Sequence, residues 1–255
     1  MRCVTSGNRR KTKDVRFVAL GDVHGSFKQA AKLLEQAQKS LGEIDFVLCV
    51  GDVEANRSAK DAVGVATGGG HRRWVGEYPK VLSGSILIGS PVWFIGGEHE
   101  PWATLDARGP GEMADNIHFL GRAGVEVMSG IRVGFLSGTH GEASSMGLGD
   151  RSSRDERACY VAAEVEALRR GAKRLGGIDV LVTHDWPTGL IEGRGDEVVE
   201  ALVRKLKPQL HLCGHHHIKL TSAIGKTSVE ALADVTQGRR GWEGFIFQDG
   251  EIHRA

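Results

Sequence analysis

The sequence is poor in the features that mark several protein classes. Its 255 residues include four cysteines, none in CxxC spacing, so neither a disulfide scaffold nor a zinc knuckle is expected. Cys49 and Cys213 sit inside apolar runs, where a small buried thiol is the ordinary reading. No apolar run approaches the ~20 residues of a membrane span, because stretches such as 85–88 and 92–95 are cut by Gly and Pro. Charge of one sign is also lacking, with 33 Lys and Arg against 32 Asp and Glu. Five of those cations, Arg2, Arg9, Arg10, Lys11 and Lys13, precede Asp14, so the rest of the chain is slightly acidic. That balance argues against a broad phosphate-binding surface and leaves room for a local basic groove. No internal repeat or low-complexity tract is present. Residues 1–13 are expected to be a flexible basic tail and 14–255 a single domain. The tail leads into no apolar stretch of secretory length, so a cytoplasmic location is expected, and no membrane or protein partner is implied.

What is present is a recurrent pattern in which an apolar run stops abruptly at a polar cluster. The run 15–20 ends at Asp22 and His24, 46–50 at Asp52, and 92–95 at Glu98, His99 and Glu100. Further on, 180–182 ends at His184 and Asp185, and 210–213 at His215, His216 and His217. Short apolar runs bounded by Gly read as buried strands, and chemistry at their carboxyl ends is the usual geometry of α/β sites. Helical spacing appears over 26–41, with Ser26 as the expected cap, over 153–175, and over 196–206. The segments 125–136 and 244–252 read as hairpins. The fold class is therefore α/β. Loops are expected at 64–70 and 144–154.

Asp22, His24, Asp52, Glu98, His99, His184, His215 and His217 form the candidate constellation. Each alone reads more simply as a turn former or a hydrogen-bonded structural residue. Together they are the donor set of zinc, manganese and iron, and burying so many on one rim without a cation is costly. Their number suits two ions sharing a carboxylate. An extended backbone over 214–217 would turn His215 and His217 to one face and leave His216 structural or solvent-facing.

The order Gly21-Asp22-Val23-His24-Gly25, Gly51-Asp52, Gly97-Glu98-His99-Glu100, Thr183-His184 and Gly214-His215-His216-His217 resembles the calcineurin-like metallophosphoesterase superfamily. Stretches 51–55, 94–100, 116–121, 123–125, 130–134 and 183–187 are most similar to the RNA lariat debranching enzymes. The resemblance implies a four-layer αββα sandwich of mixed sheets flanked by helices. It also implies a metal-dependent phosphodiesterase acting through a metal-activated hydroxide, with an RNA or nucleotide substrate. Carried over by motif, Asp22, His24, Asp52 and His217 hold one divalent ion, and Asp52, Glu98, His184 and His215 hold the other, with Asp52 bridging. Manganese, iron and zinc all suit these ligands. His99 is implied as proton donor to the leaving alkoxide. The superfamily carries Asn where this chain has Glu98, which adds negative charge beside the phosphate path. That departure keeps open a metal-binding regulator without turnover, and a phosphomonoesterase or small-nucleotide hydrolase is the other alternative.

Supporting roles are assigned from the same strand ends. Asp185 either orients an imidazole or shapes the turn before Trp186-Pro187, while Glu54 and Glu100 read as loop carboxylates or as supports for His99. His140 reads as a turn residue, with contact to substrate as the alternative. Trp74, Tyr78 and Trp102 are candidates for base stacking or plain packing, and Arg57, Arg72 and Arg73 for phosphate or water.

Overall fold

In the computed structural model, which describes residues 14–66, 74–141, 144 and 151–255, two sheets pack face to face between layers of helices. The first has seven strands: β1 (Val15–Leu20), β2 (Phe46–Cys49), β3 (Val92–Phe94), β4 (Gly111–Ala114), β5 (Ile117–Phe119), β12 (Trp242–Gln248) and β13 (Glu251–Arg254). They lie in the order β13-β12-β1-β2-β3-β5-β4. The second contains β6 (Ala123–Met128), β7 (Ile131–Leu136), β8 (Val180–Thr183), β9 (Leu210–Cys213), β10 (Leu220–Ile224) and β11 (Thr227–Ala231), ordered β10-β11-β9-β8-β7-β6. Parallel pairing of β1, β2 and β3 in one sheet, and of β7, β8 and β9 in the other, brings their carboxyl ends to a common rim.

The two-residue period of the strands builds the layers. Phe17, Ala19, Phe46, Leu48, Val180, Val182, Leu210 and Leu212 point between the sheets. Val18, Leu20, Val47 and Cys49 face outward and pack beneath α1 (Phe27–Leu41) and α4 (Trp102–Arg108). On the far side, Leu136 and Leu181 pack beneath α6 (Ala162–Arg174) and α7 (Glu197–Leu206). The four-layer αββα arrangement thus matches expectation. Phe27, Ala30, Leu33, Leu34 and Ala37 make the buried stripe of α1. Each large side chain there contributes roughly 1.5–3 kcal/mol by leaving water.

Several local expectations need correction. Ser26 occupies the N-cap position of α1 but makes no side-chain cap hydrogen bond. The helix expected over 153–175 is two helices, α5 (Arg154–Ala158) and α6, because Cys159 and Val161 are extended. The break lets Tyr160 N–H donate to Thr139 O and buries the Tyr160 ring. In the loop expected at 64–70, Gly64 closes the short helix α2 (Ala59–Val63) and Ala66 is buried, while 67–70 lie outside the described residues. The basic tail 1–13, Arg72, Arg73 and most of 144–150 also lie outside them. Cys49, Cys159 and Cys213 are buried free thiols. Among the described residues no helix is long and apolar enough to cross a membrane.

Candidate metal centre

The strand ends deliver their side chains to one cluster. Asp22 and His24 follow β1, Asp52 follows β2, and Glu98 and His99 follow β3, all from the first sheet. His184 follows β8 and His215 and His217 follow β9, from the second. Three overlapping groups, Asp22/His24/His217, Asp22/Asp52/His184 and Asp52/Glu98/His99, each place their ligand atoms within 4.8 Å of one another.

Such close approach depends on glycine. A Cβ at Gly97 would lie 2.2 Å from Asp52 Oδ1 and 2.6 Å from His184 Nε2, and one at Gly214 would lie 2.2 Å from Asp22 Oδ1. Four of the candidate ligands adopt costly backbone, as does their neighbour Glu54: His24, Asp52, Glu54, His215 and His217 all have φ between 46° and 66°. Left-handed non-glycine residues concentrate where function over-determines the fold. The extended backbone expected over 214–217 is therefore replaced by a turn. Within it His217 reaches Asp22 (Nε2 to Oδ2, 3.2 Å) and His215 reaches Glu98 (Nδ1 to Oε1, 3.5 Å). His216 turns away onto the Trp186 ring and Asp185, in line with its structural reading.

The hydrogen bonds fix which nitrogens face the centre. His184 Nδ1 donates to Val50 O at 2.9 Å, leaving Nε2 bare, buried and without a hydrogen-bond partner 3.3 Å from Asp52 Oδ2. Asp22 Oδ1 is likewise buried and unpartnered, while its Oδ2 accepts from His215 N–H at 2.9 Å. His24 Nδ1 donates to Glu54 Oε1 at 2.8 Å, which turns Nε2 toward His217 Nε2 at 2.9 Å. Lone pairs aimed at lone pairs inside a protein require a proton or a cation between them. The set therefore fits divalent cations on its own chemistry.

Charge in the cluster is tightly coupled. Burial opposes protonation of His24, but the Glu54 hydrogen bond and the Asp52 and Asp22 charges outweigh it and push the imidazole up to about 9. Burial would raise Asp52, yet the His184, His24 and His99 rings hold it well below the usual carboxylate range. His99 is also pushed up to about 9: burial acts against it, and the Glu98 hydrogen bond with the Asp52 and Glu98 charges prevails. Its Nδ1 donates to Ala66 O at 2.9 Å and its Nε2 lies 3.2 Å from Glu98 Oε1.

The supporting residues have partners of their own. Glu54 supports His24 rather than His99. Glu100 accepts from Val53 N–H at 2.7 Å and Glu54 N–H at 3.0 Å, so it clamps the loop that carries Asp52. Asp185 shapes its turn, accepting from Trp186 N–H at 2.7 Å, with His216 Nε2 at 3.8 Å. Trp102 and Tyr78 are fully buried packing groups, Arg57 pairs with Asp61, and Trp74 alone of the three aromatics is exposed. His140 rests on the Tyr160 hydroxyl, which donates to Asp196. Asp234 was not anticipated. Its Oδ2 lies 3.8 Å from His217 Nδ1, and it ends the run 231–233 just as the candidate ligands end theirs, but outside the motif series.

Residues 15–219 match the model for calcineurin-like phosphoesterases. The chain belongs to that family. It is 27% identical over 78% of its length to the CWF19-like protein 1 homolog of Drosophila melanogaster, covering 35% of that protein. It is 28% identical over 80% of its length to the lariat debranching enzyme of Arabidopsis thaliana, covering 55% of that protein. It thus spans from about a third to just over half of these curated relatives. Among solved structures, TT1561 of Thermus thermophilus superposes with a TM-score of 0.59 over 94% of this chain and 98% of that one, at 15% identity, which supports the shared fold.

Proposed function

We propose that this family member hydrolyses a phosphodiester of nucleic-acid or nucleotide type, in the manner of a lariat debranching enzyme. The observation that carries the reading is the place of His99, whose Nε2 lies 3.2 Å from Glu98 Oε1 and whose ring groups with the Asp52 and Glu98 carboxylates, with ligand atoms all within 4.8 Å of one another. His99 N–H donates to Asp52 Oδ1 at 2.7 Å, so the backbone that presents the ring is tied to the central carboxylate. Asp22, His24, Asp52 and His217 would hold one cation, and Asp52, Glu98, His184 and His215 the other. When bound, two divalent cations supply an acidified water and neutralise charge on the phosphoryl oxygens. Val50 O and Glu54 set the His184 and His24 tautomers, so that Nε2 of each faces inward. His99 would give its proton to the departing alkoxide. A diester of two alcohols needs that proton at the leaving oxygen, and the debranching names among the relatives point the same way.

A second reading, a metal-binding regulator without turnover, is favoured by Glu98. Its carboxylate already accepts from His99 at the nitrogen that would serve a leaving group. The deciding experiment compares the manganese-loaded protein on bis-p-nitrophenyl phosphate and p-nitrophenyl phosphate. Diester hydrolysis above monoester hydrolysis is expected; a strong monoester preference overturns the phosphodiesterase reading, and tight manganese binding with neither activity favours the regulator.

A further inference from the structure

One open groove is not used by the chemistry above. It has a volume of about 1100 Å³ and begins at Ser26, Trp74 and Thr236. Ser26 is two residues from His24, and Thr236 is two residues from Asp234, the neighbour of His217. Residues that flank His24 and Asp234 in the chain thus border the groove. It runs along α1 past Lys28 and Lys32, with Lys80 of α3 (Tyr78–Leu82) also on its lining. Two carboxylates share that lining, Glu35 and Glu77. Glu77 is engaged by Lys28 N–H at 2.9 Å and lies 3.4 Å from Lys80 Nζ.

Trp74 marks the end nearest the centre. It is 42% exposed and is the one exposed Trp, Tyr or Phe among the described residues. Its placement is nonetheless fixed. The buried Asn56, from the loop that carries Asp52 and Glu54, donates to Trp74 O at 3.1 Å. The indole lies against Gly25, directly after His24, where a Cβ would stand 3.3 Å from Trp74 Cζ2. A large ring held in place with much of its surface in water is poorly explained by packing, because burying it fully would have gained more. An exposed aromatic platform next to a phosphate site, followed by spaced lysines in an open channel, is the chemistry that holds a nucleic-acid strand by stacking and phosphate contacts.

We infer that this groove is the track for a single-stranded nucleic-acid substrate, with Trp74 stacking on a base beside the scissile phosphate. The inference rests on the phosphodiesterase reading and adds to it the path that the strand takes over the surface. Lys28 and Lys32 then meet phosphates farther along the strand and add affinity that salt weakens.

The test is binding, measured without turnover. The full chain, held in EDTA, is titrated against a fluorescein-labelled oligouridylate by anisotropy over a range of salt. The parent is expected to bind; Trp74→Ala weakens binding by about tenfold or more, and Trp74→Phe restores it to within about threefold. Lys28→Ala with Lys32→Ala lowers the salt slope by about 1 to 2. A parent that fails to bind the strand, or a Trp74→Ala variant that binds as tightly as the parent, overturns the proposal. Manganese-dependent hydrolysis of bis-p-nitrophenyl phosphate by the parent is recorded alongside. Its absence counts against the phosphodiesterase reading alone, while the binding series decides the groove.

Discussion

Glu98 Oε1 stands 3.2 Å from His99 Nε2 and 3.5 Å from His215 Nδ1, so one carboxylate touches both the proposed acid and a proposed cation ligand. Replacing it with the neutral amide of the superfamily pattern removes a charge that raises the His99 pKa. In Glu98→Asn the His99 imidazole should titrate closer to its ordinary range, and diester turnover should rise. NMR titration of the ring and kcat on a single diester check both, and an unchanged His99 titration refutes the coupling.

His99→Ala should show its loss selectively. For a diester with an alkoxide leaving group, loss of a positioned acid costs about 10²–10⁴ in rate. A p-nitrophenolate leaves without assistance, so the same variant should lose far less on bis-p-nitrophenyl phosphate. Equal losses on the two substrates would mean that His99 acts in some other way.

The cation-free centre should be sensitive to alkali. His24 and His99 are both pushed up to about 9, above their ordinary value of 6.5. A raised folded-state pKa gives stabilisation that is fully present below about pH 6.5 and is lost as pH rises toward 9. At ~1.4 kcal/mol per pKa unit, the loss should be on the order of a few kcal/mol. The melting temperature in EDTA should fall across that window. Manganese should blunt the fall, and its affinity should rise with pH, because His24 must release a proton to bind it.

Gly97→Ala is expected to disable the centre while sparing the sandwich. Its added methyl would meet Asp52 Oδ1 and the His184 ring at 2.2 Å and 2.6 Å. Overpacking of this kind typically costs about 1–3 kcal/mol. Isothermal titration should show loss of tight manganese binding, with near-parental far-UV circular dichroism. Parental metal affinity would contradict the packing described here.

The clustering of these side chains was legible because each candidate ligand ends an apolar run, and a parallel strand can deliver its carboxyl end only to the sheet rim. The same rule explains Asp22, Asp52, His184 and the alternation of the layers. What stayed hidden depends on contacts between distant segments. Whether Glu54 supports His24 or His99 is decided by the left-handed turn at Glu54 and by Glu100, which no local spacing reveals. The break at Cys159–Val161 answers to pairing with Thr139 across the chain, against a helical pattern that continues through it. Trp74 and Trp102 both read as candidates for stacking or packing, yet only Trp102 is buried.

The candidate ligands are divided between the two halves of the sandwich: Asp22, Asp52 and Glu98 come from one sheet, His184, His215 and His217 from the other. Cations shared among them would act as rivets across the mouth of the molecule. Chelation should then let the two rims breathe apart while the opposite ends stay shut. Deuterium uptake after EDTA treatment should concentrate in the segments following β1, β2, β8 and β9.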